Sequence, residues 1–84
     1  MEVEIEPQAE EDLDRMDNSV YLLFAQHLKS IGDNPYQRHM RSLPFFVEEV
    51  GQGRIIYTIE ADTVVIQRCF ATHKDYERWY RGHR

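Results

Sequence analysis

Apolar and polar residues alternate at the start of the chain, where Val3 and Ile5 fall between Glu2, Glu4 and Glu6. That period of two predicts a short, half-buried strand. Pro7 then suits the first turn of a helix, and the carboxylates after it suit the positive end of a helix dipole. Ala9, Leu13 and Met16 fall at helical spacing, which predicts a helix near 7–16. A second helix near 19–31 follows from the stripe Val20, Phe24, His27 or Leu28, and Ile31. Asn18 or Ser19 is positioned to cap it, and Gly32-Asp-Asn-Pro35 to stop it. Residues 33–42 read as a loop that returns the chain.

The second half has strand periodicity. A strand is expected over 44–50, a tight turn at Gly51-Gln-Gly53, a strand over 54–60, a second turn at Ala61-Asp62, and a β-branched strand over 63–70. Thr72 is placed to cap a final short helix, with Asp75 three residues on. The order is β-α-α-β-β-β-α. The class is α+β: a small antiparallel sheet, its last three strands a meander, with the two N-terminal helices on one face. No repeat or linker divides the chain, so residues 1–84 are expected to form one domain.

Charge adds a division that the pattern does not show. The net charge is −5. Residues 1–17 hold eight carboxylates against the single cation Arg15, a balance of −7. The last 17 residues carry Arg68, Lys74, Arg78, Arg81 and Arg84 against Asp75 and Glu77, a balance of +3. The overall balance excludes a broad basic surface of the kind that nonspecific nucleic-acid binding needs. A local anion site at the carboxyl end is compatible with it. The acidic start Met-Glu-Val-Glu-Ile-Glu is not a signal peptide, and no apolar run reaches the length of a membrane span. The lone Cys69, inside an apolar run, reads as a buried thiol in a reducing cytoplasm. His27, His39, His73 and His83 lack dense metal-ligand spacing, so no metal is expected.

The candidate chemistry lies at the carboxyl end. On a helix over 73–81, His73, Tyr76 and Tyr80 share one face at i, i+3 and i+7. Lys74, Arg78 and Arg81 share a neighbouring face, and Trp79 between the two is expected to pack on the sheet. Cations around a phosphoryl group stabilise its transition state, and a base and an acid beside a hydroxyl nucleophile move its protons. Arg54, at the head of a strand, has the fork to hold a phosphate bidentately. The plainer readings are that Tyr76 and Trp79 pack a core, that the helix arginines are a solvated face, and that Arg54 pairs with Glu48 or Glu49 across the hairpin.

Across nearly its whole length the chain resembles the RelE/ParE toxin superfamily, nearest the RelE type. The motifs that carry the likeness are Met40-Arg-Ser-Leu-Pro44, Val50-Gly-Gln-Gly-Arg-Ile-Ile-Tyr57, Asp62-Thr-Val-Val-Ile66 and His73-Lys-Asp-Tyr76. The resemblance implies a toxin of a type II toxin–antitoxin system, held by a cognate antitoxin. It implies a ribosome-dependent mRNA endoribonuclease that turns a 2′-hydroxyl onto the next phosphate, with no cofactor. Contact with DNA is implied only through the antitoxin. Arg54 stands where the family's strand arginine stabilises the phosphate, Lys74 where a second cation follows the last strand, and Tyr80 or Tyr76 where a late tyrosine serves the substrate. His73 occupies a position where related toxins carry a histidine or a lysine, and His73 or Tyr80 is expected to move the protons. Arg68, Tyr76, Arg78, Arg81, Glu48 and Glu49 complete the expected substrate surface. Val47 and Glu49 depart from the family, whose nucleases often carry two cations there; Glu48 or Glu49 would then act as base. The superfamily also holds gyrase-directed toxins, and a partner-binding homologue without nuclease activity is the alternative reading.

Overall fold

A computed structural model describes residues 1–33 and 44–82. The elements run β1 (Glu2–Ile5), α1 (Pro7–Asp14), α2 (Asn18–Asp33), β2 (Phe46–Val50), β3 (Gly53–Glu60), β4 (Thr63–Phe70) and α3 (His73–Arg81). This is the expected α+β order. The return loop expected at 33–42 lies, apart from Asp33, outside the described residues, as does most of the Met40–Pro44 motif.

The sheet order is β1-β4-β3-β2. The meander β2-β3-β4 is antiparallel as expected, but β1 pairs with β4 in parallel, Glu2 opposite Thr63 and Ile5 opposite Ile66. The sheet is therefore mixed, not purely antiparallel. The chain leaves β1 through α1 and reaches β4 only after the whole meander, so β1 adds to the far edge in the direction of β4. The expectation of a half-buried β1 also needs correction: all four residues are exposed, because among the described residues β1 has a neighbour on one side only.

Both N-terminal helices cover one face. Ala9 and Leu13 of α1 and Phe24 and Ile31 of α2 share a buried cluster with strand residues that include Ile55, Tyr57 and Ile66. The cap of α2 falls to Asp17, not to Asn18 or Ser19. Its carboxylate accepts from the Val20 N–H at 3.0 Å and from the Ser19 hydroxyl at 2.9 Å, which satisfies an otherwise unpaired helix donor. The other face carries α3, seated on Ile56 and Phe70 through Tyr76, Trp79 and Tyr80.

One irregularity decides which β4 side chains meet α3. Ile56 pairs with Arg68 but Tyr57 pairs with Ile66, so Gln67 is an extra residue in the strand. The bulge reverses the alternation beyond it. Val64, Ile66 and then Cys69 point into the helix-covered core, and Phe70 points to α3.

Candidate functional site

The hairpin between β2 and β3 sets the position of Arg54. Gly51 takes a left-handed backbone, φ 60°, that a side chain would strain. At Gly53 a Cβ would lie 2.4 Å from the Phe70 carbonyl and 2.7 Å from Phe24 Cζ, so only glycine lets β3 start this close to β4 and α2. Arg54 follows directly, between Glu49 and Phe70 in register and on the face that α3 covers. Its guanidinium donates to the Gly53 carbonyl at 2.7 Å and lies 3.6 Å from the Glu49 carboxylate. Its central carbon sits 5.4 Å from the centre of the Tyr76 ring, a cation–π contact.

Thr72 caps α3 as expected, its hydroxyl accepting from the Asp75 N–H at 3.2 Å. His73, Tyr76 and Tyr80 form a line of rings along one flank, 6.1 Å and 6.0 Å between successive centres. Arg54, Tyr76, His73 and Tyr80 are thus brought into one run by contact. Trp79 packs on the sheet, 5.6 Å from the Phe70 ring and 5.5 Å from that of Phe45.

Lys74 does not join this run. At 100° per residue it lies about 160° around the helix from Tyr76, on the solvent side, and it is exposed. The remaining charges of α3 pair within the helix. Glu77 binds His73 Nε2 at 2.9 Å and Arg81 at 3.1 Å, and Arg78 lies 3.8 Å from Asp75.

No protein-family model matches the chain, and no curated protein sequence does. Solved structures do match. The RelB–RelE antitoxin–toxin complex of Methanococcus jannaschii aligns over 92% of this chain and 98% of the matched chain, with a TM-score of 0.75 and 11% identity. The isolated Escherichia coli RelE toxin aligns over 95% and 96%, with a TM-score of 0.74 and 12% identity. The RelBE2 toxin–antitoxin complex of Mycobacterium tuberculosis aligns over 82% and 94%, with a TM-score of 0.72 and 20% identity. The chain has the RelE-like toxin fold.

Within that RelE-like fold, besides the outward Lys74 and the helix-paired Arg81, three more expected site residues are engaged elsewhere or apart. Glu48 points to the opposite face of the sheet and meets His27 of α2 at 3.0 Å. Arg68 donates to Asp12 of α1 through two nitrogens, at 2.7 and 3.1 Å, and stacks over Phe70. These bonds raise the guanidinium's pKa still further. Arg78 borders a groove of about 470 Å³ between α1 and α3, and none of Arg54, His73, Tyr76 or Tyr80 lines it.

Asp12 is the residue that sequence reasoning missed. β1 ends at Ile5, so among the described residues β4 beyond Ile66 has no strand on that side. Asp12, 8% exposed, fills the role by accepting from the Cys69 N–H at 3.0 Å while it holds Arg68. Its only sequence signal is a carboxylate between Ala9 and Leu13 on the buried side of α1. The Cys69 thiol itself is pushed up to about 12, by burial first and then by Asp12, so it stays protonated and inert at neutral pH. Among the described residues no group of three His, Cys, Asp or Glu side chains converges to hold a metal ion.

Proposed function

We propose that this chain is the toxin of a type II toxin–antitoxin pair and that it cleaves ribosome-bound mRNA. The fold supports the toxin reading, since the matched structures include toxins bound to antitoxins. The observation that carries the cleavage reading is the run of Arg54, Tyr76, His73 and Tyr80 on one side of the sheet.

In this reading Arg54 holds the non-bridging oxygens of the scissile phosphate. The stack on Tyr76 and the bond to Gly53 fix its plane, so little reorganisation is needed as charge builds up. His73 or Tyr80 takes the proton of the 2′-hydroxyl as its oxygen bonds to phosphorus. The bond from phosphorus to the 5′-oxygen breaks, and that oxygen receives a proton from the other group. The products are a 2′,3′-cyclic phosphate and a 5′-hydroxyl. Lys74 and Arg81, on the outer side of α3, act as longer-range positive charge along the RNA rather than as a clamp on the phosphate.

The test is induction in a test cell with mRNA ends mapped on ribosomes. Wild-type protein should arrest growth and produce new ends. Arg54→Ala should lower cleavage on the order of a hundred- to a thousand-fold, about 2.7–4 kcal/mol of transition-state stabilisation, with the fold intact. Absence of new ends with the wild type would sink the cleavage reading.

A second reading has its own observation. Glu49, not a cation, stands 3.6 Å from Arg54, and Lys74 faces outward. A site this poor in free positive charge fits a toxin-fold protein that acts on gyrase or only binds a partner. Growth arrest without mRNA cleavage, relieved by co-expressing the product of a neighbouring frame, would favour it.

A further inference from the structure

β1 ends the sheet and nothing among the described residues pairs with its outer edge. Glu2 and Glu6 donate inward, to the carbonyls of Asp62 at 3.3 Å and Ile66 at 2.9 Å. The backbone groups of a strand point alternately to its two sides. Val3 and Ile5 therefore aim their N–H and C=O groups away from β4, a template for one more strand.

The side chains state what that strand should be. Val3 and Ile5, opposite the core residues Val64 and Ile66, continue the helix-covered core to the surface and remain 36% and 40% exposed. Glu2 and Glu4 occupy the opposite face of β1, both exposed. They belong to a segment, residues 1–17, with eight carboxylates and one cation. A second copy of β1 is a poor partner. Any register that sets its apolar face beside Val3 and Ile5 also sets its glutamates against Glu2 and Glu4, and like charges directly opposite repel.

We propose that β1 is a docking edge for an extended segment of a partner protein in which cationic residues alternate with apolar ones. The segment adds as a fifth strand. Its backbone bonds to Val3 and Ile5, its apolar residues extend the core, and its lysines or arginines face Glu2 and Glu4. The edge does not involve Arg54 or α3, so this inference and the cleavage reading stand or fall separately.

The experiment titrates isotope-labelled protein with short synthetic peptides while backbone amide resonances are followed. A peptide alternating lysine and valine should shift Val3, Ile5 and their β4 neighbours, and should bind about tenfold tighter than one alternating glutamate and valine, from two opposite-charge cross-strand pairs. Glu2→Gln/Glu4→Gln should remove that preference and its salt dependence. Val3→Pro deletes one outward donor at an edge that tolerates proline. It should abolish binding while the core resonances and melting temperature show the fold retained. Equal binding of the two peptides, shifts confined to other elements, or no shift at β1 at millimolar peptide would each overturn the proposal. So would protein-concentration-dependent shifts of the same amides without peptide, which would make a second copy the occupant.

Discussion

The two faces of the sheet are built on different principles. Against α1 and α2, fully buried Phe24, Ile31, Ile55, Val64 and Ile66 form a dry core. Against α3 the buried cluster is Ile56 and Phe70, under half-buried rings, and α3 itself contains no buried residue. Both half-buried arginines lie on the α3 side, where Arg54 is in register with Phe70 and Arg68 is in register with Ile56 and stacks over Phe70. Arg68 is tied by two short bonds to a nearly buried carboxylate, whereas Arg54 meets a half-exposed one at 3.6 Å and leans on an aromatic ring. A guanidinium held by two bonds to a nearly buried partner is architecture, since releasing it would strand a charge. One held loosely on a ring can exchange its carboxylate for a phosphate at small cost. The thick face is a packed core, whereas the thin face carries one locked arginine and one loosely held arginine beside the candidate site.

The largest effect that this contrast predicts is in core truncation. Phe24→Ala should destabilise by about 3–5 kcal/mol, as a fully buried phenyl is lost and a cavity remains. Trp79→Ala, on the thin face, should cost about 1–2 kcal/mol because the ring is only half-buried. Urea denaturation of both variants measures the gap, and equal losses would mean that α3 is as integral as α2. The arginine partners come next. Asp12→Ala leaves the Cys69 N–H unbonded and Arg68 unpaired, for about 2–3 kcal/mol. Glu49→Ala should stay within about 0.5 kcal/mol, as for other exposed ion pairs.

The sequence made the thick face legible and the thin one less so. Helices and strands followed from periodicity because Phe24, Ile31 and the β-branched run of β4 signal burial locally. The Thr72 cap and the seat of Trp79 were legible for the same reason. The parallel placement of β1 was not, since local alternation is the same in a parallel edge strand and an antiparallel one. Nor was the bulge at Gln67, which depends on the fit of β4 to β3 and carries no residue signature here. Without the bulge Phe70 would face α2 and not the aromatics of α3, so the site's floor rests on a feature invisible in the pattern. Lys74 shows the limit of spacing arguments. Helical geometry correctly separated it from the His73 flank, but only the docking of α3 shows that its side of the helix faces solvent.

A smaller effect separates the faces by pH. Burial, and then the nearby Glu48, push the Tyr57 hydroxyl from 10.0 up to about 12, and burial with Asp12 pushes the Cys69 thiol from 9.0 up to about 12. Both groups lie in the thick face. Their neutral forms are favoured by folding, so their contribution is whole below the unfolded values of 9.0 and 10.0. As pH rises towards 12 the unfolded chain loses these protons first, and stability falls. Chemical denaturation between pH 8 and about 11 should show a decline that Tyr57→Phe and Cys69→Ala each flatten. A decline unchanged in both variants would place its source outside the core.

The smallest effect lies on the outer side of α3. Glu77 holds both His73 and Arg81 one turn away, yet all three side chains are well exposed. Pairs of this spacing on a solvated helix contribute about 0.2–0.5 kcal/mol each and weaken with salt. Glu77→Ala should therefore lower stability by a few tenths of a kcal/mol in dilute buffer. The difference should vanish at about 1 M salt, where screening acts within about 3 Å. Trp79→Ala, whose loss is apolar contact with Phe45 and Phe70, should keep its full cost in the same salt. If instead Glu77→Ala matched Trp79→Ala in size and resisted salt, the helix would be held by its charges, and the thin face would not be an aromatic seat.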